Sequence, residues 1–186
     1  SRPFRLLCVS PIWPYKNYEN VVRAVSRLRD AGYPIRLDIV GSHPHLASYI
    51  NLMASLEAVD KNREYIYYHG AKTFVEMLSF YHEADLFVFA SSCESFGQII
   101  TEAMASGLPI ACSKLSSMAE TLGDSAIYFD PFSSESLYQE LIVLIDSSHL
   151  RAQIASKAYL NAKHYSWERC ANETFEFIYS ASTDTR

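Results

Sequence analysis

The sequence predicts a doubly wound α/β domain: a mainly parallel, six-stranded Rossmann-like sheet with helices on both faces and an all-helical carboxyl-terminal end. Three observations carry that expectation. Short apolar runs alternate with longer stretches of helical period from one end to the other, the pattern of βα units. The 186 residues are 49% hydrophobic and 20% charged, enough for one domain that buries roughly 70% of its unfolded surface. After the sixth apolar run the remaining periodicity is helical throughout.

The first strand candidate, Phe4 to Ser10, begins almost at once with no initiator Met, so the chain is expected to be a piece cut at a domain boundary. Asn17 can cap a helix over Tyr18 to Ala31 that Gly32 ends. A second strand spans Ile35 to Val40 and a third Tyr65 to His69, where Tyr65, Tyr67 and Tyr68 supply strand-packing bulk. Thr73 with Glu76 forms a capping box for the next-but-one helix. The fourth strand is Leu86 to Ala90. Ser95 with Gln98 fits a second capping box, and Gly107 with Pro109 fits the stop of that helix. Strands five and six are Pro109 to Cys112 and Ala126 to Phe129. Helices follow over Ser133 to Ser147, with Leu137, Leu141, Leu144 and Ile145 on one face, then Leu150 to Lys163 and Ser166 to Tyr179. Trp167 is expected to staple the last helix to the body. Ser180 to Arg186 reads as a polar tail.

Sixteen basic against 21 acidic residues give a net charge of −5 with no basic run, which speaks against general nucleic-acid binding or attachment to an anionic membrane. No apolar run approaches the ~20 residues of a membrane span, and the first ten residues lack a signal-peptide layout, so the chain is expected to be cytoplasmic. Cys8, Cys93, Cys112 and Cys170 form no CxxC pair and are expected to be free thiols, Cys93 the most accessible. His43 and His45 stand in a loop without a third ligand nearby, and no Asp-x-Asp occurs, so no metal site is expected.

In a doubly wound sheet ligands sit at the carboxyl ends of the strands. The segment from Ser91 to Pro109 leaves the fourth strand, turns through a small polar loop and opens a helix. Unpaired N–H groups at such a helix start favour an anion, and Gly97 lets one approach the backbone closely. Glu94 sits before the helix and Glu102 in its second turn, neither with a basic residue four positions on. Glu102, among small and apolar neighbours, needs hydrogen-bond donors. A vicinal diol supplies two. On these grounds alone the segment is an anion or nucleotide site, or else a well-capped core helix.

Glu94-Ser95-Phe96-Gly97 followed by Glu102-Ala103-Met104-Ala105-Ser106-Gly107-Leu108-Pro109 resembles the Glu-x7-Glu signature of retaining glycosyltransferases of family 4, which have the two-domain GT-B fold. The resemblance extends over Val9 to Asn17, Asp38 to Gly41, His69 to Ala71, Glu83 to Ser91 and Tyr165 to Arg169. It implies that residues 1–179 are the carboxyl-terminal, donor-binding half of such an enzyme, 180–186 a tail, and that the amino-terminal acceptor half lies outside this chain. It further implies that Glu102 holds ribose hydroxyls, that Glu94 contacts the donor sugar, that the backbone at Phe96, Gly97 and Gln98 meets the diphosphate, and that Ser95 and Ile99 belong to the same donor site. Lys16 would neutralise that diphosphate, and the base would lie near His69, Gly70 and Ala71. Many members carry an arginine where this chain has Pro11, and a proline where it has Ala90. Lys114 is the candidate stand-in for the missing arginine.

The resemblance implies a UDP- or GDP-sugar donor used without cofactor or divalent metal, and a glycan or lipid-linked acceptor in surface polysaccharide or glycoconjugate synthesis. The full-length protein could then be peripheral at the inner membrane face, and this half alone would not transfer sugar. Two other readings share the α/β pattern: a receiver-like signalling module, against which the basic, aromatic stretch Ser10 to Lys16 counts, and a sugar-nucleotide epimerase of the same two-domain fold.

Overall fold

The structure, a computed structural model, describes residues 2–183. Six strands, β1 (Phe4–Val9), β2 (Ile35–Val40), β3 (Ile66–Tyr68), β4 (Leu86–Phe89), β5 (Ile110–Ser113) and β6 (Ile127–Phe129), pair in the order β3-β2-β1-β4-β5-β6. Every pairing is parallel. The order reverses between β1 and β4, and a reversal opens a crevice outside the carboxyl ends of the two strands. A receiver-like module would have the order 2-1-3-4-5, so that reading is set aside.

Because strand side chains alternate, the sheet has two apolar faces. Leu6, Cys8, Ile35, Leu37, Ile39, Leu86 and Val88 face α1 (Tyr18–Asp30), α2 (Leu46–Val59) and α6 (Ser134–Asp146). Leu7, Val40, Phe87, Phe89, Ile110 and Cys112 face α3 (Phe74–Glu83), α4 (Gln98–Ala105), α5 (Met118–Leu122) and part of α7 (Ser148–Ala162). Fully burying one such Leu, Val or Phe contributes about 1.5–3 kcal/mol.

The local signals fared unequally. Thr73 and Glu76 form the expected capping box on α3, and Gly32 and Gly107 lie at positive φ just past α1 and α4. Asn17 stands at the N-cap of α1, but in the left-handed region with no capping bond. The Ser95–Gln98 box does not form. Gly97 takes the N-cap of α4 at φ 76, which starts the helix at Gln98 and leaves Ser95 outside it. The turn of 3-10 helix at Pro14–Lys16 and the short α5 were not anticipated.

The final helix, α8 (Trp167–Thr183), runs past Tyr179 into the stretch read as a tail; 184–186 lie outside the described residues. It has a Ser166 cap and an Arg169–Glu173 pair but no buried residue. Trp167 does not staple it to the body, being 79% exposed. Phe175, Phe177, Ile178 and Tyr179 are exposed as well, so the apolar period of the helix has no facing element among the described residues.

Candidate functional site

The loop after β1 owes its path to Gly41. Beyond the last ladder pair, Ser10 N–H and Ile12 N–H still donate to the carbonyls of Val40 and Ser42. This brings Ser10 so close that a Cβ on Gly41 would lie 1.9 Å from its carbonyl oxygen. The 3-10 turn then folds the chain back over the crevice. Lys16 is only 6% exposed, its ammonium 5.0 Å above the Phe89 ring and 5.2 Å from that of Tyr15.

The loop after β4 is held from both sides. Asn17 Nδ2 donates to the carbonyls of Ala90 (2.8 Å) and Tyr15 (2.9 Å), and Ser92 N–H donates to Tyr15 O at 2.8 Å. On the far side Glu94 N–H donates to Ser116 Oγ (2.7 Å), whose hydroxyl returns a bond to Glu94 O (2.5 Å), and Ser117 Oγ reaches the same oxygen at 3.2 Å. With its backbone fixed, Glu94 turns its carboxylate onto Lys16 Nζ in a direct, largely buried ion pair. Two charges withdrawn from water demand such pairing, because either alone would be costly. The cross-loop bonds of Asn17, Ser116 and Ser117 are not legible in the sequence, because they join loops that only the fold brings together.

Gly97 has a packing reason as well as a backbone one: a Cβ there would meet Met118 Cε at 2.8 Å. Phe96 is half-exposed, its ring edge-to-face with Tyr165 at 5.4 Å. Ser95 and Gln98 are exposed, Ile99 half-buried and Ile100 fully buried. Glu102, half-buried one turn further on, accepts a 2.9 Å hydrogen bond from Tyr81 on α3. Burial above all, and then the Glu102 charge, push the Tyr81 hydroxyl far above its usual range, so it remains a neutral donor. Tyr81 is a site neighbour that sequence reasoning missed.

Beyond the end of β3, Gly70 and Ala71 lie in the irregular segment before α3, with Gly70 O accepting from Gly41 N–H. His69 Nε2 meets Asp38 Oδ1 at 2.7 Å. A carboxylate only accepts, so Nε2 carries the proton. Arg36 forks onto the same carboxylate through Nε and Nη2, and Arg5 lies 3.3 Å away. Burial by itself would raise the Asp38 carboxyl; the His69 and Arg36 hydrogen bonds and the neighbouring positive charge outweigh it and hold the group at about 2.

The other candidates separate from this site. Lys114, just past β5, pairs at 3.6 Å with Asp130, just past β6. His45 caps α2, accepting from Ser48 N–H, while His43 stacks on Tyr49 and bonds Tyr68. Among the described residues no group of three His, Cys, Asp or Glu is arranged to hold a metal ion. Cys93 and Cys170 are exposed, Cys8 and Cys112 buried, all four free. No described helix is long and apolar enough to cross a membrane.

The family model described as glycosyl transferases group 1 matches residues 1–161. The chain is 32% identical over 94 residues to O-antigen chain mannosyltransferase B of Escherichia coli, covering 50% of this chain and 25% of that protein. It is 27% identical over 183 residues to D-inositol 3-phosphate glycosyltransferase of Corynebacterium efficiens, covering 94% and 42%. It thus spans less than half the length of these curated relatives. Among solved structures, Anabaena HepE in complex with UDP-glucose superposes with a TM-score of 0.83 at 20% identity, over 96% of this chain and 49% of that one. The C-terminal domain of a group 1 glycosyl transferase, LpcC of Francisella tularensis, does so with a TM-score of 0.77 at 22% identity, over 88% and 87%.

Proposed function

The chain belongs to the glycosyl transferases group 1 family, and from that premise we propose that it is the donor-binding half of a retaining enzyme that moves a hexosyl group from a nucleoside-diphosphate sugar. The observation that carries the reading is the meeting of Lys16 and Glu94 over the crevice between β1 and β4, where a doubly wound sheet binds its ligand.

In this reading the diphosphate lies against the start of α4 at Phe96, Gly97, Gln98 and Ile99, with Ser95 at the loop edge. Backbone N–H groups and the helix dipole favour the anion there. Lys16 supplies the cation that neutralises charge growing on the diphosphate as the sugar departs. Glu94, its own charge offset by Lys16, can approach that anion and accept from the sugar hydroxyls. Glu102 takes the ribose diol, and the base lies by His69, Gly70 and Ala71. No step in this scheme calls on a divalent metal.

The uncovered apolar residues of α8 fit an amino-terminal acceptor half packed against them, and the acceptor, a glycan or lipid-linked glycan on the cytoplasmic side, would enter between the halves. The UDP-glucose bound by HepE supports a nucleotide-sugar donor. Titration calorimetry of the chain with UDP and GDP tests the reading. Saturable binding of one is expected, and binding of neither at millimolar concentration overturns it.

A further inference from the structure

The two site carboxylates are held by opposite kinds of partner. Glu94 meets an ammonium, which cancels its charge. Among the described residues the Glu102 carboxylate meets only the phenol of Tyr81, at 2.9 Å, a neutral donor that occupies one oxygen and leaves the negative charge in place. A carboxylate so held accepts further hydrogen bonds at its other oxygen, and hydrogen bonds to a charged acceptor are the stronger kind. That suits a neutral diol, whereas a carboxylate beside a diphosphate benefits from a cation.

We propose that Tyr81 is a positioning residue of the donor site, fixing the rotamer of Glu102 so that Oε1 is presented to a ligand diol. The inference rests on the assignment of Glu102 to the ribose. Tyr81 suits the task because it is itself immobile: it is the buried residue of α3, 5% exposed, with its ring tilted against Phe87 at 6.2 Å. The α3 helix that carries it starts at the Thr73–Glu76 capping box, two residues beyond Ala71. One rigid helix thereby joins the base-side loop to the ribose-side carboxylate. An unheld Glu side chain would have to be ordered at each binding event, which costs rotamer freedom.

The test uses Tyr81→Phe, which removes the hydroxyl and keeps the ring, with titrations of UDP or GDP, whichever binds, its 2′,3′-dideoxy analogue and inorganic pyrophosphate. The variant is expected to bind the nucleotide about tenfold more weakly, to bind the dideoxy analogue and pyrophosphate as the wild type does, and to add no loss on top of Glu102→Ala. Unchanged nucleotide affinity, or an equal loss for pyrophosphate, overturns the positioning role while leaving the ribose assignment standing. A wild-type chain that binds nucleotide and dideoxy analogue alike removes the ribose assignment, and the proposal with it.

Discussion

Lys16 and Glu94 stand 78 positions apart in sequence and meet as a buried ion pair because their strands, β1 and β4, are neighbours at the point where strand order reverses. Each of the two loops therefore commits one side chain to the other, and the orientation of the Lys16 ammonium is set within the fold.

Lys16→Ala is expected to weaken nucleoside diphosphate and inorganic pyrophosphate together, by about 1.5–3 kcal/mol each, the range of a charge-assisted hydrogen bond. Glu102→Ala should weaken the nucleotide and spare pyrophosphate. Calorimetric titration of both variants with both ligands is the measurement, and a pyrophosphate loss in Glu102→Ala would contradict the division between phosphate and ribose sides. Since Lys16 is buried against Phe89, its removal also leaves Glu94 uncompensated, so a lower Tm is expected.

The Asp38 carboxyl is held at about 2 in the fold, against an ordinary 3.8. A depressed carboxyl stabilises the fold above its unfolded pKa and loses that contribution as pH falls from about 4 towards 2. A separation of this size is worth about 2 kcal/mol. Urea titrations of wild type and Asp38→Asn at pH 6 and at pH 2.5 check it: the wild-type advantage should be present at pH 6 and shrink at pH 2.5. A constant difference would mean that the Arg36 and His69 contacts contribute nothing through charge.

What could be read in the sequence was what depends on neighbours in sequence or on a spacing with one structural meaning. The six strands, the Thr73–Glu76 box and the position of Glu102 on α4 are of that kind. Asn17 shows the limit: at an N-cap its side chain ordinarily turns to its own helix, yet here it reaches Ala90 O, 73 positions away. Ser95 and Gln98 match a capping box by type, but Gly97 between them takes the left-handed cap, packed against Met118 from α5. The Tyr81–Glu102 bond and the Ser116 clasp on Glu94 likewise need the sheet order before they can be drawn. Trp167 misled for a different reason, since an apolar helical period says that a face is to be covered and not by what.

The two glycines at the strand ends should respond very differently to alanine. At Gly41 the new Cβ would overlap Ser10 O at 1.9 Å, so β1 and β2 must part at their carboxyl ends; a loss above about 3 kcal/mol and loss of nucleotide binding are expected. At Gly70 nothing lies within 4 Å and only φ +69 disfavours a side chain, a cost of about 1–2 kcal/mol. Denaturant unfolding of both variants decides it, and equal losses would show that the close approach of Ser10 is not what selects Gly41.

Binding and transfer should separate cleanly. On the proposed reading, ground-state binding of the donor needs only Lys16, Glu94, the start of α4 and Glu102, all within this chain, whereas differential stabilisation of the transition state needs an acceptor positioned in a cleft from which water is excluded. The chain alone is therefore expected to bind a UDP- or GDP-sugar with EDTA present and to transfer nothing, while the chain joined to an amino-terminal half should transfer without added divalent metal. Titration with and without EDTA, beside a radiolabelled transfer assay of both forms, makes the comparison. Turnover by this chain alone would show that its crevice already holds the acceptor groups. A strict requirement for Mn²⁺ or Mg²⁺ in donor binding would mean that Lys16 and the N–H groups at Gly97 and Gln98 do not suffice to hold the diphosphate.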